Sequence, residues 1–209
     1  MGNPSASHII TSAVEHPAVL NPALYLAELG AGLTVLPVDG TGRVDPEAVR
    51  RAIRPQTALI SVMLANNETG ALQPVREIAR IANEHGIPLH TDAAQAVGKI
   101  PVDVNDLGVD FLSVAGHKLY APKGVGALFV RSGRSLTPLM HGAAQEGGRR
   151  AGTENTLLAA GDRFSTPSSA QANAVMGELY LLGRLTGESS GVVPVSPLPN
   201  CVMPGWRER

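Results

Sequence analysis

Lys118 stands just after an apolar run, DFLSVA (110–115), with His117 beside it and Lys123 close behind. A lysine amine in that place can form a Schiff base with an aldehyde cofactor. Taken alone, a loop lysine is ordinarily a solvated surface charge. Asp92 ends another run, PLHTD (88–92). A carboxylate there can hold a protonated pyridine nitrogen and keep a cofactor ring electron-poor. It can equally cap the segment that follows. His16 can stack on such a ring or move a proton near neutral pH, or serve only the structure. Asn67 and Gln95 are neutral hydrogen-bonding groups able to meet a phenolic oxygen. Gly147, Gly148, Arg149, Arg150, Ala151, Gly152 and Thr153 form a glycine-rich basic loop. Backbone amides, guanidinium and hydroxyl groups in such a loop suit a phosphate at a helix start, or the loop is simply exposed surface.

These residues need elements to position them, and the chain has a regular rhythm from His8 to Gly161. HIITS (8–12), LTVLPV (33–38), ALISVML (58–64), PLHTD (88–92), DFLSVA (110–115) and GVGALFV (124–130) read as strands. Between the first of these lie helix signals. Pro17 precedes helix formers that end at Gly30; Asp45 and Pro46 read as N-cap and first helical position of a helix running to about Arg54; Pro74 opens a third helix that Gly86 closes. Alternation of this kind predicts an α/β fold with a mostly parallel sheet flanked by helices. In such sheets functional groups collect beyond the carboxyl ends of the strands. The polar clusters at Asn66–Glu68, Asp92–Gln95 and Gly116–Lys118 fall at those ends.

Composition narrows the class. The chain has 209 residues, 17 Lys+Arg against 18 Asp+Glu, and a net charge of −1. That balance argues against a nucleic-acid binder, and no run is apolar and long enough to predict a membrane span. A single cysteine excludes an internal disulfide framework and a multi-cysteine metal site, and no metal is expected. The first residues lack a basic segment followed by an apolar one, so no secretory signal is expected and the reading is a soluble cytoplasmic protein. After Gly161 the character changes: a Ser/Thr/Pro connector (162–170), a glycine-weakened helix candidate (171–185) and a proline-rich end. The division expected is 1–7 as a leading motif, 8–161 as the large domain and 162–209 as a divergent, poorly ordered or weakly docked tail.

The strings SAVEH (12–16), MLANNETG (63–70), HTDAAQAVGK (90–99), DFLSVAGHKLYAPKGVGALFV (110–130) and RRAGTEN (149–155) together resemble the class V aminotransferases. Within them, the resemblance is to the pyridoxal-phosphate-dependent cysteine desulfurases and selenocysteine lyases. It implies part of the large domain of a fold type I pyridoxal-phosphate transferase. It also implies roles. Lys118 would be the Schiff-base lysine; His16 would stack on the pyridine ring and take part in catalysis; Asp92 would pair with the ring nitrogen. Asn67 and Gln95 would meet the phenolic oxygen, His117 would help hold the phosphate, and Thr153 would reach the phosphate site of the other subunit in a homodimer. The family reaction takes sulfur or selenium from L-cysteine or L-selenocysteine, leaves L-alanine and passes the chalcogen to an acceptor protein, as in iron–sulfur cluster assembly.

The chain also departs from the family pattern. Ala115 stands where a phosphate-binding serine is common. The family's glycine/threonine-rich phosphate loop is not recognisable before SAVEH; GNPSAS (2–7) resembles a motif from the family's N-terminus. Neither the catalytic cysteine loop nor the substrate-binding arginine is recognisable, and Cys201, in SPLPNCVMPGWRER, is not assigned the sulfur-accepting role. Charge-assisted phosphate contacts are worth about 1.5–3 kcal/mol each, so losing two weakens cofactor binding by roughly two to four orders of magnitude. Two readings follow: a desulfurase or lyase by ancestry, with weak cofactor binding and little turnover by this chain alone, or an inactive homologue acting as a dimerisation or interaction fragment.

Overall fold

The computed structural model describes residues 7–155 and 192–194. The helix expected over 171–185, the connector 162–170, Cys201 and residues 1–6 lie outside them.

Eleven elements follow in chain order: β1 (His8–Ser12), α1 (Pro17–Glu28), β2 (Gly32–Leu36), α2 (Pro46–Ala52), β3 (Thr57–Ser61), α3 (Val75–Glu84), β4 (Leu89–Asp92), α4 (Val104–Leu107), β5 (Phe111–Ala115), β6 (Gly126–Val130) and β7 (Val192–Pro194). One sheet takes all seven strands in the order β2-β1-β3-β4-β5-β6-β7. β1 to β5 are parallel; β6 and β7 run antiparallel to their neighbours. The α/β reading with a mostly parallel sheet therefore holds.

Local chemistry explains the boundaries. Asp45 caps α2 by accepting from the Glu47 amide at 2.9 Å, with Pro46 next. β2 stops at Leu36, short of the expected 38, because Val38 turns away to bridge Val44. β3 stops at Ser61 rather than 64, yet the Val62 and Leu64 amides still donate to the His90 and Asp92 carbonyls at 3.1 and 2.8 Å. The rest of that apolar run is an irregular extension of the strand. Helix α4 was not legible: it is one turn, capped by Asp103 and closed by Gly108 at φ 72°, too short to show a period.

Strand order makes the sheet doubly wound. The β1–α1–β2 connection steps one way and β2–α2–β3 the other. Right-handed crossovers then put α1 on one face and α2 and α3 on the other. On the α2/α3 face Ile10, Ile60, Leu89 and Leu112 are at most 1% exposed. They pack in one core with Val49, Ile78 and Leu107 from α2, α3 and α4. Each such burial is worth about 1.5–3 kcal/mol, so this face holds the sheet together. The opposite face carries Ile9, Leu33, Leu59, His90, Asp92 and Ser113, all half-buried. There α1 buries only Ala23 and leaves Leu24, Tyr25 and Leu26 exposed.

Candidate active site

A parallel sheet of order 2-1-3-4-5 opens a crevice beyond its carboxyl ends, where the winding reverses between β1 and β3. His16 follows β1, Asn67 follows β3, Asp92 ends β4, and His117 and Lys118 form a tight 3-10 turn, Gly116–Lys118, after β5. These four strands are consecutive neighbours about 4.8 Å apart, so the groups line an edge of roughly 15 Å. Gln95 lies in the turn just beyond Asp92.

Each side chain is set by a local bond. His16 is the N-cap of α1: its Nδ1 accepts from the Ala18 amide at 3.1 Å. An accepting Nδ1 leaves the proton of a neutral ring on Nε2, and the ring stays exposed. The sequence placed Pro17 at the helix start but did not reveal that the histidine is the cap. At Asp92, Oδ1 accepts from the Ala94 amide at 2.9 Å. One carboxylate oxygen thus caps the turn, and no described residue takes the other. Lys118 is exposed and no carboxylate pairs with it among the described residues. Lys99 Nζ donates to Gln95 Oε1 at 2.7 Å. Lysine offers only donors, so the Gln95 amide nitrogen is left to face outward as a donor itself. Burial, and then the nearby charge of Lys118, hold the Lys99 ammonium below its ordinary range.

The Asp92 and Lys118 turns are wedged together. A Cβ on Gly98 would lie 2.7 Å from Leu119 Cδ2, and Gly98 sits at φ +76°. The left-handed backbone favours glycine there, and any Cβ would push the Leu119 side chain aside. Gly126 is similar: a Cβ would meet the Val114 carbonyl oxygen at 2.6 Å, so the β5–β6 pairing that frames Lys118 depends on its absence.

His117 is exposed next to Lys118. Thr153 is exposed in the glycine-rich loop, whose turn Gln145–Gly148 leans against β7. That loop satisfies itself: Arg150 Nη1 donates to the Gly152 carbonyl at 3.0 Å, and the Gly152 amide donates to Gln145 Oε1 at 3.1 Å. Strand order therefore gathers His16, Asn67, Asp92, Gln95, His117 and Lys118 at one edge of the sheet, and Thr153 belongs to the glycine-rich loop.

Four participants escaped the sequence reading. Asn66 builds the loop that presents Asn67: its Oδ1 accepts from the Glu68 and Thr69 amides at 3.0 and 2.8 Å, and its Nδ2 donates to the Val14 carbonyl at 3.0 Å. Adjacent asparagines are indistinguishable in sequence; burial of Asn66 and exposure of Asn67 separate them. His90 bridges three strands. Its Nδ1 meets Ser61 Oγ and its Nε2 meets Ser113 Oγ, each at 2.8 Å. Burial keeps its imidazole below the ordinary 6.5, with Asp92 opposing more weakly. The bridge stands on the same face as Asp92, two residues before it. Glu15 is buried beside His16. Lys99 was seen only as part of a string.

A strand-end lysine, a half-free carboxylate on the neighbouring strand and an exposed imidazole suit a planar, cationic, aldehyde-bearing ring. The model of the aminotransferase class V family matches residues 4–181. The chain belongs to the class V aminotransferase family. Among its class V relatives, the cysteine desulfurase IscS of Dictyoglomus turgidum is 56% identical over 148 residues, covering 71% of this chain and 38% of that protein. The cysteine desulfurase NifS of Azotobacter vinelandii is 52% identical over 152 residues, covering 73% and 38%. A solved structure, SspA in complex with cysteine, aligns with a TM-score of 0.75 and 43% identity over 85% of this chain and 52% of that one. A NifS-like protein aligns with a TM-score of 0.75 at 37% identity, covering 84% and 47%. The chain thus spans about two fifths of the length of the curated relatives it matches. No helix among the described residues is long and apolar enough to cross a membrane.

Proposed function

We propose that this chain carries the cofactor-holding part of a pyridoxal-phosphate-dependent cysteine desulfurase. Bound there, pyridoxal phosphate would supply an aldehyde for a covalent link to an amine and an electron-poor ring that draws electrons from the substrate. The observation that carries the reading is the juxtaposition at β4 and β5: a carboxylate with one oxygen free, and an unpaired amine on the next strand. Asp92 is the partner for a protonated ring nitrogen. Lys118 offers the amine. The exposed face of His16 is available to stack, and the outward amide of Gln95, with Asn67, donates to a phenolic oxygen. His117 and, across a homodimer, Thr153 are the phosphate contacts.

The substrate is L-cysteine, giving L-alanine and transferring sulfur to an acceptor protein. The relatives' names and the cysteine held by SspA favour sulfur over selenium. A cytoplasmic setting belongs to the same proposal.

Titration of the purified chain with pyridoxal phosphate, followed by absorbance, tests the reading. Saturable binding that weakens at least tenfold in Lys118→Ala supports it. Identical titrations of the two proteins overturn it and favour the other reading, a dimerisation or interaction fragment that holds no cofactor.

A further inference from the structure

Glu15 is buried at the strand ends, 6% exposed, and the chemistry above gives it nothing to do. Its Oε1 accepts from Ser12 Oγ at 2.6 Å and from the Met63 amide at 2.9 Å. Its Oε2 has no hydrogen-bond partner. No lysine, arginine or histidine pairs with it among the described residues. A buried carboxylate with one oxygen unpartnered and no cation is an expensive species, and protonation removes the expense.

The surroundings point the same way. From β4 the charged group that acts on Glu15 is Asp92; the end of β3 offers only the Met63 amide; the neighbouring His16 is exposed. Burial pushes the Glu15 carboxyl up to about 7, Asp92 adds to that push, and the bonds from Ser12 and Met63 oppose it. Two carboxyls sharing one low-dielectric region do not both ionise readily, and the more buried one yields. Asp92 is half-exposed, and its Oδ1 accepts from the Ala94 amide.

Glu15 also precedes His16 directly, so its two bonds fasten the start of the His16 turn to the end of β1 and to the extension of β3. We propose that Glu15 is a positioning residue that works as a neutral carboxyl, clamping the His16 turn against β3 and leaving Asp92 as the carboxylate charge offered to a cofactor ring. The last part rests on the cofactor reading given above.

Three measurements on the full chain test this. Infrared spectra of wild type and Glu15→Gln should differ by the C=O stretch of a protonated carboxyl, present in wild type at pH 6, weaker at pH 8.5 and missing from the variant. In thermal unfolding without cofactor, Glu15→Gln, which keeps the acceptor oxygen and cannot ionise, should come nearest to wild type at pH 4 and exceed it clearly at pH 8.5. In pyridoxal-phosphate titrations at pH 7, Glu15→Gln should stay within about twofold of wild type, whereas Glu15→Ala should bind at least tenfold more weakly. Absence of the infrared difference, or a Glu15→Gln chain less stable than wild type at pH 8.5, overturns the neutral carboxyl. A Glu15→Ala chain that folds and binds as wild type overturns the positioning role. If no variant and no wild type binds the cofactor, the functional reading fails, while the infrared and unfolding results still decide the state of Glu15.

Discussion

The two faces of the sheet are built to different rules. On the face covered by α2, α3 and α4, the aliphatic side chains of Ile10, Ile60, Leu89 and Leu112 pack closely, and Ile60 and Leu112 are fully buried. On the other face the same strands present His90, Asp92 and Ser113 among half-exposed Leu33 and Leu59, with Phe111 and Val130 as a small separate cluster. One face supplies cohesion; the other bears the polar groups that lead to the site. The contrast teaches that the strand ends are fixed from behind. Side chains with few packing partners of their own can still be placed accurately when the alternate residues of the same strands are locked.

The contrast can be broken from the packed side first. Ile60→Ala removes a fully buried side chain facing α3 and should cost about 2–5 kcal/mol, read as a lower denaturant midpoint. Next comes the buried acid. The folded chain holds the Glu15 proton more tightly than the unfolded chain, because its pKa rises from 4.5 to about 7. The contribution of Glu15 to stability is therefore greatest at low pH, falls as pH climbs through that window and levels off above it. At about 1.4 kcal/mol per unit, Glu15→Gln should remove a penalty of about 3 kcal/mol at pH 8.5 and less than about 1 kcal/mol at pH 5. Gly98→Ala should cost about 1–2 kcal/mol for its left-handed backbone, and it should also weaken cofactor capture by pushing the Leu119 side chain and the Lys118 turn aside. Smallest of all, Val35→Ser on the open face, at a position 40% exposed, should move the unfolding midpoint by less than about 1 kcal/mol. A loss comparable to that of Ile60→Ala would show that the open face is as cohesive as the packed one.

Much of this was legible in the sequence because period and chemistry agreed. Continuous apolar runs such as that around Ile60 announced strands buried in a parallel sheet. Asp45 with Pro46, and the glycines after α1 and α3, marked helix ends by capping and left-handed geometry. Motif strings placed Lys118, Asp92 and His16 at strand ends. What stayed hidden depended on partners distant in sequence. Glu15 owes one of its bonds to Met63, His90 its bridge to Ser61 and Ser113, and the space beside Gly98 is filled by Leu119. No local pattern encodes such pairings. Nor could spacing tell which of Asn66 and Asn67 turns inward, since either could occupy an irregular loop.

We propose that the Lys118 amine and the free oxygen of Asp92 serve one bound ring. The most direct test is borohydride reduction of the chain saturated with pyridoxal phosphate, followed by peptide mapping, in wild type and Asp92→Asn. The label should reside on Lys118 in wild type, with its yield at limiting cofactor reduced at least tenfold in Asp92→Asn. A label spread over surface lysines, or one on Lys118 that is indifferent to Asp92, would contradict the site.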